Sequence, residues 1–294
     1  MLIRLICVIL ALFWHVPVRA DEAITIYTVN YPLKYFAEKI AGKHARVVFP
    51  VPADVDPAFW IPDTEAIIGY QQADIIFLNG ANYASWIRKV SLPQSKLVNT
   101  SADFKESYIN VEKNITHSHG LEGEHSHDST YFTTWLDFSQ SVMHARSIKD
   151  ALAARYPQLK DDFEKNLSRL EKELLALDVK LLGLVPANSG NNLLASHPVY
   201  RYFGRRYGFI IKSMVWEPDA VPNQQQWAEL KKIQTDHQAT VMLWEDSPDQ
   251  ETLDRLRELG IRSIVFDPCA NICRQGDFLT AMKSNIEKFE EVFP

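Results

Sequence analysis

From Ala23 onward, short β-branched segments alternate with amphipathic helical ones, and that alternation confines the chain to a small set of folds. AITIYTV, beginning at Ala23, carries the period-two pattern of a strand. YPLKYFAEKIAGKHA follows with Leu33, Phe36, Ala37 and Ile40 at helical spacing. ARVVFPV and ADIIFLNG read as two more strands, with a short helix from Asp63 to Gln72 between them. The pattern resumes late in the chain. KLLGLVP, FIIKSMVW, ATVMLWE and IRSIVFDP read as strands, and HPVYRYFGRRYG, QQQWAELKKIQTDHQ, DQETLDRLRELG and DFLTAMKSNIEKFEEVF as the helices after them. Two such β-α-β runs predict an α/β protein of two similar Rossmann-like lobes with mostly parallel sheets. Ligands of such sheets sit beyond the carboxyl ends of the strands, here in a cleft between the lobes.

Between the runs, Phe138 to about Leu182 is helical in pattern, interrupted once at Tyr156-Pro157. Its second part carries an apolar stripe of Leu167, Leu170, Leu174 and Leu177. A helix of this length extends nearly 40 Å and is long enough to join two lobes. The expected boundaries are a first lobe over 21–156, a linking helix over 157–182 and a second lobe over 183–294. A chain of 294 residues suits two cores better than one. Residues from about 100 to 132 show no clear period and read as a surface loop.

Residues 1–20 stand apart from the fold. Arg4 precedes the apolar run Leu5 to Trp14, which is about half a membrane span, and Val18-Arg19-Ala20 has small-x-small cleavage spacing. This is the pattern of a signal peptide, and export to the periplasm is the expectation. Cys7 lies inside the apolar run, which leaves Cys269 and Cys273 in DPCANIC. In an oxidising compartment that pair predicts a disulfide, with a thiolate metal pair as the alternative. The net charge of −6 becomes more negative once Arg4 and Arg19 are lost, which disfavours nucleic acid and anionic membranes as partners. A monomer is expected.

The densest chemical signal is ITHSHGLEGEHSHDS, within a loop over 114–130. His117, His119, His125 and His127 are four of the chain's nine histidines, and they lie among Glu122, Glu124 and Asp128. Imidazole with nearby carboxylate suits zinc and its neighbours, and H-x-H spacing on a loop allows several rings to converge on one ion. The blander reading is a solvated polar loop. His197 opens a helix after a strand, where a cap or packed side chain is also common. Asp267 ends the strand SIVFDP, where turn chemistry is the usual role. Glu217 and Glu245 lie at strand ends, as surface carboxylates or as partners that orient His197. Trp60, Trp86 and Trp135 read as lobe packing. There is no G-x-S-x-G, no H-E-x-x-H and no phosphate-cradling glycine loop.

These segments, in this order and spacing, resemble the metal-specific solute-binding proteins of ABC importers, of zinc and manganese type. YPLKYFAEKIAG is similar to that family's opening strand-helix, VPADVDPAFWIPDTEAI to its loop after the second strand, and QQADIIFLNGANYASWI to its third strand and turn. TTWLDFSQSVMHARSIKDAL, LLASHPVYRYFGRRYGF and IVFDP are similar to its later ligand segments. The resemblance covers essentially the whole chain after residue 20. It implies a protein that binds zinc, or another divalent transition metal, for delivery to a membrane permease, with no enzymatic activity. It also implies two ligands from each lobe, mostly histidines. His197 and Asp267 match the second-lobe pair. In the first lobe Ala58 and Thr133 stand where the family pattern has histidine. Three readings stay open: the loop histidines complete the cleft site, the loop binds metal alone, or the cleft has lost metal and takes another solute.

Overall fold

A computed structural model of the protein describes residues 23–111, 130–184 and 191–293. The expected signal peptide and the four loop histidines, His117, His119, His125 and His127, lie outside the described residues. In the first lobe β1 (Ile24–Thr28), β2 (Ala45–Val48), β3 (Ile75–Leu78) and β4 (Leu97–Asn99) form a parallel sheet in the order β2-β1-β3-β4. Helices α1 (Tyr31–Ala41) and α2 (Thr64–Gln72) are its crossovers. Asn30 and Asp63 cap them by accepting from Leu33 N and Ala66 N. The second lobe repeats the plan. Strands β5 (Asn192–Ala195), β6 (Ile210–Ser213), β7 (Val241–Trp244) and β8 (Arg262–Val265) run parallel in the order β6-β5-β7-β8. Their helices are α5 (Arg201–Tyr207), α6 (Gln224–His237), α7 (Gln250–Glu258) and α8 (Phe278–Glu290). Two sheets of one topology, each with a reversal of strand order beside its first strand, bear out the expected α/β class.

The middle of the chain is helical as its stripe implied. Helix α3 (Phe138–Arg155) ends at Tyr156, a 3-10 turn runs over Pro157–Leu159, and α4 (Lys160–Gly183) follows. Phe163, Leu167, Leu170, Leu174, Leu177 and Leu181 are buried along α4, which packs on α1 and α3 of the first lobe and α8 of the second. Asp178, on the same helix, accepts from Arg206 and Tyr207 of α5, so a charged contact also ties α4 to the second lobe.

Two expectations are corrected here. The described part of KLLGLVP, residues 180–184, is not a strand. Lys180–Gly183 complete α4, because Leu181 continues the buried stripe of Leu174 and Leu177, and β5 is instead formed by Asn192–Ala195. The segment from residue 100 is also not a surface loop throughout. Thr100, Ser101 and Phe104 are buried, a 3-10 run occupies Ala102–Ser107, and Asn110 pairs antiparallel with Thr130. An aromatic anchor and side-chain hydrogen bonds hold this stretch, and neither leaves a period in the sequence. Among the described residues no helix is long and apolar enough to cross a membrane.

Candidate functional site

Beyond the carboxyl end of each strand of the second lobe stands a residue of coordinating chemistry: His197 after β5, Glu217 after β6, Glu245 after β7 and Asp267 after β8. The parallel sheet places these four chain segments along one edge of the lobe. His197 has extended backbone (φ −136°, ψ 161°) just before Pro198, and its side chain makes no capping bond, so the helix-cap reading does not apply.

The His197 ring lies between two carboxylates. Its Nδ1 is 3.1 Å from Glu245 Oε1, and its Nε2 is 3.5 Å from Glu217 Oε1. Nδ1 is closed off from solvent and lies off the line of a hydrogen bond to Glu245. The His197 side chain is 12 % exposed, Glu245 31 % and Glu217 62 %. Burial alone lowers the pKa of this imidazole. The contact with Glu245 and the negative charges of Glu245 and Glu217 outweigh it, so the net shift is upward. Glu217 and Glu245 are therefore partners of His197 rather than isolated surface carboxylates.

Asp267 is held from three directions. Its Oδ1 accepts from Cys269 N at 2.7 Å, while Asn285 donates to its carbonyl (2.7 Å) and accepts from its amide (3.1 Å). Burial raises its carboxyl pKa. The Cys269 N–H and Arg274 oppose that rise, and Asp246 and Glu245 add to it. Arg274 forms an ion pair with Asp246. Cys269 and Cys273 form the expected disulfide.

The first-lobe positions that the resemblance implicates offer no imidazole. Ala58 is buried, and its amide donates to Asp56 Oδ1 at 2.8 Å. Thr133 is buried, and its hydroxyl donates to the carbonyl of Val199, in the other lobe. The next residue, Thr134, meets the buried His144 ring: Thr134 Oγ1 is 2.8 Å from Nε2, and Thr100 Oγ1 is 2.7 Å from Nδ1. Thr100 Oγ1 also donates to the Leu78 carbonyl, so it accepts from Nδ1–H and leaves Nε2 to accept from Thr134. Burial holds His144 neutral, with its pKa lowered to about 3. No local sequence pattern marks His144, because its partners lie 44 and 10 residues away.

Further interlobe contacts surround the site. Trp135 Nε1 donates to Pro268 O at 2.7 Å, Tyr31 N to Ala270 O at 3.0 Å, and Asn271 Nδ2 to both Pro52 O and Val55 O at 2.7 Å. The disulfide-closed turn after Asp267 therefore rests on three first-lobe segments. Tyr202 OH accepts from Ile109 N and donates to Tyr131 O, joining α5 to both ends of the interval that contains the loop histidines. Trp86 and Trp135 are buried and Trp60 packs on Trp86, as lobe packing requires. Among the described residues no group of three or more His, Cys, Asp or Glu is disposed to hold a metal ion. His197 and Asp267 do not complete a shell with first-lobe donors.

A family model described as zinc-uptake complex component A, periplasmic (ZnuA), matches residues 26–292. The zinc-binding lipoprotein AdcA of Streptococcus pneumoniae serotype 4 is 24 % identical over 286 residues, covering 93 % of this chain and 56 % of its own length. The chain thus spans little more than half of that relative. The manganese ABC transporter substrate-binding lipoprotein PsaA of S. pneumoniae is 26 % identical over 288 residues, covering 92 % of this chain and 89 % of its own length. The crystal structure of the Zn(II)-bound ZnuA-like domain of S. pneumoniae AdcA superposes with a TM-score of 0.77 at 21 % identity, over 92 % of this chain and 99 % of that one. That superposition shows that the fold is shared.

Proposed function

The chain belongs to the ZnuA family, and from that premise we propose that it captures a divalent transition metal, zinc foremost, in the periplasm and delivers it to the membrane permease of an ABC importer. The relatives named zinc- or manganese-binding support the cargo class, and those named as transporter substrate-binding components support the permease partner. The observation that carries the reading is His197, a mostly buried imidazole between two carboxylates at the strand ends of the second lobe. Imidazole and carboxylate are the donors that zinc accepts. In this reading His197 and Asp267 hold the ion, and His117, His119, His125 and His127 add the imidazoles that Ala58 and Thr133 do not supply. The protein acts by capture and release, as a monomer, without catalysis and without nucleic acid.

A second reading, that the cleft has turned to another solute, is favoured by one specific observation: the Thr133 hydroxyl is engaged by Val199. Metal analysis and zinc titration decide between them, comparing the wild-type chain with His197→Ala and with residues 115–128 replaced by a short Gly-Ser linker. Asn110 and Thr130, which pair antiparallel, lie outside the replaced segment. Loss of tight binding in both variants indicates a shared site, and loss only in the loop replacement indicates binding by the loop alone. No binding of any first-row divalent ion by the wild type ends the metal reading.

A further inference from the structure

We propose that the two carboxylates beside His197 divide the work: Glu217 coordinates the ion together with His197 Nε2, and Glu245 positions the ring from the other side. This rests on the metal-capture reading above and assigns its donors.

The first argument is distance. Nε2 and Glu217 Oε1 are 3.5 Å apart, longer than an ordinary N–H···O bond of about 2.9 Å. Two ligands at about 2.0–2.1 Å from a tetrahedral zinc are separated by roughly 3.3–3.4 Å. The pair therefore already spans close to one edge of a coordination tetrahedron.

Distance alone leaves the Glu245 side open, since that contact is also short. Burial separates the two. Nδ1 is closed off from solvent, and Glu245 is half as exposed as Glu217. A hydrated ion that keeps water ligands can reach Nε2 and Glu217, whereas the Nδ1 side has no opening for it. An imidazole that binds metal through Nε2 carries its proton on Nδ1, and a carboxylate there fixes both the tautomer and the ring plane.

Glu217 is exposed, but its backbone is fixed. The preceding Trp216 is buried, and its amide donates to the carbonyl of Ser196, the residue before His197, at 3.1 Å. The carbonyl of the following Pro218 accepts from Asp249 N at 2.8 Å. The β5–β6 pairing is thus prolonged up to the two donors and holds them side by side. Because both belong to one lobe, the first two bonds to the ion form without any movement between lobes, in keeping with a first lobe whose Ala58 has no donor and whose Thr133 hydroxyl is already bonded.

The test uses the full chain stripped of metal, as wild type, Glu217→Gln, Glu245→Gln and His197→Ala, with thermal melts to establish folding. Zinc affinity is measured by calorimetry, and the donor set by the d–d absorption of bound cobalt(II). The expected result is a loss of at least about 100-fold in zinc affinity with an altered cobalt spectrum for Glu217→Gln. Glu245→Gln is expected to weaken zinc about 10-fold, within the range for loss of an orienting partner, and to leave the spectrum as in wild type. Glu217→Gln within threefold of wild type with an unchanged spectrum, while His197→Ala abolishes binding, overturns the assignment and leaves metal capture standing. A spectrum altered by Glu245→Gln and not by Glu217→Gln overturns it as well, and so does tight binding that survives His197→Ala. A wild type that binds neither zinc nor cobalt defeats the capture reading itself.

Discussion

Thr133 of the first lobe donates its hydroxyl hydrogen to the carbonyl of Val199, two residues beyond His197 in the second. The two lobes are therefore joined at the candidate site by a neutral hydrogen bond.

Removing that bond has a calculable cost. Thr133→Val keeps the shape of the side chain but leaves the Val199 carbonyl without its hydroxyl partner, at about 1–2 kcal/mol. Urea unfolding should show a lower midpoint with an unchanged slope. A midpoint equal to wild type means that water replaces the hydroxyl and the contact contributes nothing to holding the lobes.

His144 makes the fold sensitive to acid. Its folded pKa of about 3 lies below the unfolded value of about 6.5. Between those values the unfolded chain binds a proton that the native ring does not, so unfolding becomes easier as pH falls. The stability it contributes is complete above about pH 6.5 and declines by up to about 1.4 kcal/mol per pH unit down to about pH 3. Unfolding free energies at pH 7, 6 and 5 should fall more steeply for wild type than for His144→Gln. The His144 ring resonances should stay constant over that range while the protein is folded, and a native titration near pH 6 contradicts the assignment.

Acid and metal compete for His197. Its pKa is raised, so the proton's stabilising effect on the metal-free protein is full below about 6.5 and is lost as pH rises through the folded value. A metal ion must displace that proton, and zinc affinity should fall about tenfold per unit once pH drops below the folded pKa. Zinc titrations at pH 7.5 and 5.5 measure this directly, and equal affinities at the two values rule out an imidazole ligand.

The Cys269–Cys273 bridge closes the turn that carries Pro268, Ala270 and Asn271 onto the first lobe. Closing so short a loop restricts the unfolded chain by about 2 kcal/mol. The paired Cys269→Ser, Cys273→Ser variant should lose about that much stability. Amide exchange at Tyr31, whose N–H bonds Ala270 O, should accelerate more than exchange in β1. Uniform acceleration across both lobes would falsify a local role for the turn.

Much of the architecture was legible from side-chain periodicity, because apolar residues must face a core whatever the remainder of the chain does. The alternation of strands and helices, the stripe of Leu167, Leu170, Leu174 and Leu177, the close cysteine pair and the position of Asp267 beyond a strand all follow from local pattern. Local pattern misread the end of α4, where KLLGLVP fits a short strand as well as a helix turn. Only packing of Leu181 into the α4 seam distinguishes them. It also missed the burial of Phe104 and the two hydroxyls that hold His144, since those partners are brought together by chain segments far apart in sequence.

The sequence by itself determined which chemistry is available: an imidazole or a carboxylate beyond each of four strands, with no imidazole at Ala58 or Thr133. The tertiary structure alone decided which of these groups meet. The pairing of β5 with β6 and with β7 brings Glu217 and Glu245 to opposite sides of one ring, and the approach of the lobes commits the Thr133 hydroxyl to Val199. Distances of 3–4 Å between residues tens of positions apart are set by sheet register and lobe packing, and no single-chain periodicity encodes them.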